Sequence, residues 1–198
     1  MSYYHYTKGC HLAKIVKDGI ICTTNEGIEK REKPAVWLTK SQEWDSCCDT
    51  AIVHTPMRLE AGQIFSRNDI WVEGASDDYM KKKIGMCRIV ISETLPTITW
   101  AKFKYVSGIS ERGYNALEKV SKSKGSPTGK WLCSFTPIQR KYWECIEIFV
   151  DDQWVRWDGK IQIEEFVKLC MSCNGNDNFE KLKEENNITI YLYSKNAS

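Results

Sequence analysis

Groups able to do chemistry concentrate in three short patterns of this 198-residue chain. His5-Tyr6-Thr7 offers an imidazole and a hydroxyl, which hold polar ligands by hydrogen bonds. Val36-Trp37-Leu38-Thr39 presents an indole on a strand-forming run, and Trp44 follows as a second flat ring. Glu147-Ile148-Phe149-Val150 sets a carboxylate inside a β-forming run, where it can stabilise positive charge that develops in a transition state. Glu144 is the competing carboxylate; strand side chains alternate, so the two face opposite sides and only one can enter a given cleft. Arg88 interrupts the apolar run Met86-Cys87-Arg88-Ile89-Val90-Ile91. Buried there, it demands an anionic partner; on an edge strand it would face water. Each residue alone also has an ordinary reading as a structural histidine, a core tryptophan or a solvent-facing glutamate. Gly-x-Ser-x-Gly, His-Glu-x-x-His and Walker-type signatures are absent from the sequence.

The elements that must position these groups read as short strands with few helices. Aromatic residues 2–6 predict a first strand, and Leu12, Ile15 and Val16 recur at helical spacing until Asp18-Gly19 stops the helix. Residues 35–38 predict a second strand, and Ser41-Gln42-Glu43-Trp44 a helix start capped by Ser41. Strands are expected at 51–53, 69–72, 86–91, 97–103, 142–150, 154–157 and 188–193, and helices at 111–119 and over the Ile163, Phe166, Val167, Cys170 stripe. Residues 121–129 read as a flexible basic loop. The pattern is too irregular for alternating βαβ units, so an α+β fold is expected, in one domain spanning residues 1–198.

With 42% hydrophobic residues, 27% charged and only 5 Pro, the composition is globular and excludes disordered, collagenous and coiled-coil classes. No run of apolar residues is long enough to span a bilayer, and Met1-Ser2-Tyr3-Tyr4-His5 does not begin a basic and then apolar leader. A cytoplasmic protein without a membrane partner is the expectation. Nine cysteines, an odd count without a leader, suit reduced thiols acting as small buried side chains. Cys170-Met171-Ser172-Cys173 has ligand spacing but lacks a second pair to complete a zinc site, so no metal is expected.

Taken in order, Tyr4-His5-Tyr6-Thr7, Lys17-Asp18-Gly19-Ile20, Val36-Trp37-Leu38-Thr39-Lys40-Ser41 with Trp44, and Glu147-Ile148-Phe149-Val150 resemble the ADP-ribosyltransferase superfamily of His-Tyr-Glu type. That group includes diphtheria toxin, the poly-ADP-ribose polymerases and, more loosely, DarT-type toxins. Tyr6 stands where the family has Gly, and Trp37 where it has Tyr. The resemblance covers residues 3–44 and 142–150. It implies a split β-sheet core with flanking helices and NAD as co-substrate. By the same resemblance Glu147 is the catalytic carboxylate, His5 and Thr7 hold a ribose, and the Tyr6 amide holds the nicotinamide carboxamide. Trp37 or Trp44 stacks on the nicotinamide ring, and Arg88 is a candidate for the pyrophosphate. A toxin or phage-defence effector with an antitoxin partner is the context such an enzyme implies.

Charge points to the acceptor. Between residues 81 and 141 thirteen Lys/Arg face three acids, a net of +10, while the whole chain carries only +2. Lys81, Lys82, Lys83, Lys122 and Lys124, interleaved with Trp100, Phe103, Tyr105, Tyr114 and Trp131, suit single-stranded nucleic acid: lysines bind phosphates and exposed aromatics stack bases. RNA is expected ahead of a protein acceptor. An NAD glycohydrolase, a catalytically inactive binding module, and a solvated face over core aromatics are the competing readings.

Overall fold

The computed structural model describes residues 2–25, 28–45, 85–150 and 152–172 with their side chains, and residues 51–53, 70–72 and 173 as backbone. In chain order the strands are β1 (Tyr3–Lys8), β2 (Ile20–Ile21), β3 (Val36–Thr39), β4 (Ala51–Val53), β5 (Ile70–Val72), β6 (Met86–Ile91), β7 (Ile98–Thr99), β8 (Trp131–Ser134), β9 (Ile138–Gln139), β10 (Trp143–Val150) and β11 (Gln153–Arg156). The helices are α1 (Gly9–Asp18), α2 (Trp100–Val106), α3 (Glu111–Ser123) and α4 (Ile163–Cys173). Seven strands form one sheet in the order β11-β10-β6-β1-β3-β8-β7, with antiparallel pairing throughout. An antiparallel sheet with separate helices is the α+β class expected.

Alternation along the strands divides the side chains between two faces. Cys87, Ile89, Ile91, Ile146, Ile148, Val150, Val36 and Leu38 form the main core with Leu12 of α1 and Phe166, Val167 and Cys170 of α4. The helix stripes predicted by spacing are therefore the faces that seal this side. Asp18-Gly19 ends α1 as expected: Gly19 takes the left-handed φ of 66° and its N–H returns to Ile15 O. The other face holds two aromatic clusters. Ala35, Trp100, Phe103, Trp131 and Cys133 pack with Trp37, Tyr114 and Leu117 under α2 and α3. Tyr4, Tyr6 and Val90 pack with Trp44, Cys145 and Trp154.

Three local expectations fail for identifiable reasons. Of residues 97–103, expected as one strand, only Ile98–Thr99 is extended; Trp100 and Phe103 recur at helical spacing and are both buried, so aromatic β-propensity yields to burial of one helix face. Residues 121–129 are not a flexible loop. The helix continues to Ser123, Ser121 Oγ donates to Ser126 O, and Trp131 Nε1 donates to Ser126 Oγ at 3.0 Å. Residues 41–45 form no helix, because the sheet captures their carbonyls, as described below. In contrast, β8 was not anticipated, although Trp131-Leu132-Cys133-Ser134 is a short apolar run of the type that fills a central strand. The expected strand at 188–193 lies outside the described residues.

Gly108 enforces one close approach. At φ +83° a Cβ there would sit 2.3 Å from Arg31 O, and the adjacent Ser107 O accepts from Lys33 N at 2.7 Å. These two constraints fix the approach of the chain to β3. Of the described cysteines, all free thiols, Cys87, Cys133 and Cys170 are buried and Cys145 half-buried, but Cys10 and Cys22 are exposed, against the expectation of small buried side chains. Cys47, Cys48 and the Cys173 side chain lie outside the described residues. No described helix is long and apolar enough to cross a membrane.

Candidate functional site

The β1, β6, β10 and β11 registers align Tyr6, Arg88, Glu147 and Arg156 in one row across four strands. Directly paired residues share a face, so this row lies on the side of the second aromatic cluster. Glu147, 1% exposed, accepts from Arg88 Nε at Oε2, 2.6 Å away. Arg88 is 5% exposed on a strand flanked by β1 and β10, which overturns the edge-strand reading. Its guanidinium lies 4.0 Å from the Trp154 ring centroid and 4.7 Å from that of Tyr4, and Nη1 donates to Gln42 O. The planar cation is thus matched on its edge by a carboxylate and a carbonyl and on its faces by rings.

Among the described residues, Glu147 Oε1 meets only the Cys145 thiol, a weak donor, at 3.6 Å. Burial pushes that thiol up to about 11; Glu147 adds to the rise and Arg156 opposes it, so Cys145 is protonated at neutral pH and is no nucleophile. Glu144 occupies a bulge between Trp143 and Cys145, exposed, where it accepts from Ser2 Oγ at 2.8 Å. Of the two carboxylates only Glu147 reaches the interior.

Residues 41–45 cross this face as a strap. Tyr6 Oη lies 2.9 Å from Ser41 O and 2.6 Å from Glu43 O, and Arg88 holds Gln42 O between them. Three successive carbonyls therefore bond to the sheet, where an α-helix would have turned them along its own axis. Trp44 meets Tyr6 edge-on at 5.2 Å, and Asp45 accepts from Trp131 Nε1 at 3.2 Å.

His5 stands one residue out of this row. It pairs with Ile89, so its side chain belongs to the main-core face, opposite Glu147. The β1–β3 ladder registers only at Tyr4 and Thr39. Beside that pair, His5 Nδ1 lies 3.0 Å from Trp37 O and bridges the two strands. A carbonyl only accepts, so the bond assigns the proton to Nδ1 and leaves Nε2 as the acceptor of a neutral ring. Burial holds the His5 pKa below its ordinary 6.5, partly opposed by the Trp37 carbonyl. Between that lowered value and 6.5 the unfolded chain binds a proton that the native ring refuses, so stability should decline as pH falls below 6.5, with a slope of at most one proton. Thermal melts between about pH 7.5 and about pH 5 check this. His5→Gln retains a donor for Trp37 O and should flatten that part of the profile.

The other expected residues are dispersed. Thr7 is buried opposite Cys87, and Trp37 is packed 4.8 Å from Phe103 and 6.1 Å from Trp100, in a different cluster from Trp44. Lys122 is exposed on the last turn of α3 and Lys124 follows it half-buried; Lys81, Lys82 and Lys83 lie outside the described residues. Tyr4, Trp154 and Arg156 were not anticipated. Val150 pairs with Gln153, and counting back along that antiparallel ladder reaches Glu147 and Arg156. No known protein family, curated protein or solved structure matches the chain.

Proposed function

We propose that the chain is an NAD-dependent ADP-ribosyltransferase centred on Glu147, acting on a macromolecular acceptor, with RNA favoured over protein. The observation that carries this reading is the polarity of Glu147: one oxygen held by Arg88, the other meeting, among the described residues, only a weak thiol, beside the rings of Tyr4, Tyr6, Trp44 and Trp154. A ribose hydroxyl is a stronger donor than that thiol and would replace it at Oε1. As the glycosidic bond to nicotinamide breaks, nicotinamide leaves with the bonding pair and the ribose carbon becomes cationic, the charge that a fixed carboxylate stabilises. The acceptor's nucleophile then bonds to that carbon and gives up its proton to solvent.

The expected roles shift with the geometry. Arg88 orients Glu147 and could reach a phosphate only by exchanging a partner. Trp44 is better placed than Trp37 to meet a ring beside Glu147. His5 acts through the β1–β3 junction, where its bond to Trp37 O adds to the one registered pair that joins the two strands. Glu147 is 1% exposed, so NAD reaches Oε1 only if the groups packed around it move.

The competing reading is a structural ion pair in a chain that does not consume NAD, favoured by the near-complete burial of Glu147. Incubating the protein with labelled NAD, alone and with RNA, DNA or lysate, separates these. Label transferred to RNA is expected; free ADP-ribose alone identifies a glycohydrolase, labelled protein without labelled RNA moves the acceptor to protein, and intact NAD under every condition rejects the enzyme.

A further inference from the structure

The basic segment resolves into two kinds of aromatic residue. Trp100, Phe103 and Trp131 are buried, and Tyr114 stacks on Trp100 with centroids 4.5 Å apart, so these four hold α2 and α3 on the sheet. Tyr105 is 82% exposed on α2, the most exposed large aromatic among the described residues. Lys102 and Lys104 flank it, both exposed, and Lys104 Nζ lies 5.1 Å from the Tyr114 ring centroid, which places the outer side of α2 beside α3. On α3, Arg112, Lys119 and Lys122 are exposed, while Tyr114, Leu117 and Ser121 form the inward stripe. Of the two acids between residues 100 and 130, Glu118 is turned inward to Trp100 Nε1 and Thr128 Oγ1 and Glu111 faces outward; exposed Glu29 joins it at the start of α3, where it accepts from Ser110 N and Oγ beside Arg112, so the cations still outnumber the acids.

We infer that the outer face of α2 and α3 is a single-stranded RNA docking surface, with Tyr105 stacking an unpaired base and Lys102, Lys104, Arg112, Lys119 and Lys122 meeting the flanking phosphates. A ring held out in water costs hydration unless something covers it, and the surrounding cations select an anionic cover. Bases and phosphates together supply both, and a ring face is open to a base only where the strand is unpaired. This inference rests on the acceptor half of the function proposed above and is independent of its NAD half.

The test is fluorescence polarisation with labelled oligouridine, without NAD, over a range of salt concentrations, using the full chain. Wild type should bind with affinity falling steeply as salt rises. Tyr105→Ala should weaken binding on the order of tenfold with the salt slope unchanged, and Tyr105→Phe, which keeps the ring, should bind as wild type. Lys102→Gln with Lys104→Gln and Lys122→Gln should lower the slope by roughly 0.7 for each phosphate left without its cation. Melting curves of all variants should coincide with wild type, since these side chains lie outside the core. No binding by wild type at low salt, full affinity in Tyr105→Ala, or Tyr105→Phe as weak as Tyr105→Ala overturns the docking surface. Nicotinamide release measured on the same preparation without RNA then reports separately on the NAD reading.

Discussion

Replacing Glu147 by Leu should destabilise the chain by about 3–5 kcal/mol, a fall in melting temperature on the order of 10 °C, and adding Arg88→Met should recover most of it. The single change leaves a guanidinium buried at 5% exposure with its carboxylate gone. Gln42 O and the Trp154 and Tyr4 rings still surround the cation, but none of them neutralises it. Hydrophobic replacement of both partners removes the two desolvation costs together, which is why buried pairs are often neutral when exchanged whole and severe when halved. Arg88→Met alone should resemble Glu147→Leu, because it strands the carboxylate instead. Thermal and urea melts of the four proteins form a double-mutant cycle. A Glu147→Leu protein that melts with wild type would show that the pair is not the buried unit described.

Glu147→Gln should lower nicotinamide release by on the order of 100- to 1,000-fold, and Glu144→Gln by no more than a few-fold. Gln preserves the shape and an acceptor for Arg88 Nε but removes the charge that a cationic ribose would require in the proposed reaction. Glu144 sits exposed on its bulge with Ser2, away from the Arg88 row. Folding and chemistry are separable here: the Arg88→Met/Glu147→Leu protein should regain stability and still release no nicotinamide. Rates are compared per folded molecule, from the melts above. Activity retained in Glu147→Gln and lost in Glu144→Gln would place the chemistry at the bulge and reject the assignment.

Much of the frame was readable because periodicity and punctuation act locally. The Leu12, Ile15, Val16 spacing with Gly19, the Ile163 to Cys170 stripe and the apolar 86–91 and 142–150 runs each became the element they predict. Local rules failed where a distant partner changed the outcome. Ser41 looks like a helix cap, yet Tyr6 and Arg88, 35 and 46 residues away from the carbonyls they bind, take the acceptors a helix would need. Trp100 and Phe103 look β-forming until β3 and β8 offer a surface for one helical face.

For the candidate site, the sequence by itself determined which residue types are present: a strand carboxylate, an arginine inside an apolar run, and several tryptophans. It also determined that Arg88 would need an anion if buried, because the cost of desolvating a guanidinium is a property of the group. Only the tertiary structure decided that the anion is Glu147. That pairing follows from laying β6 beside β10 in one register, and a shift of one residue would have put the two side chains on opposite faces. The same register separates His5 from Glu147, and the packing of α2 leaves Tyr105 in water while its aromatic neighbours are buried, since which face a side chain takes depends on what packs against it and not on its own type.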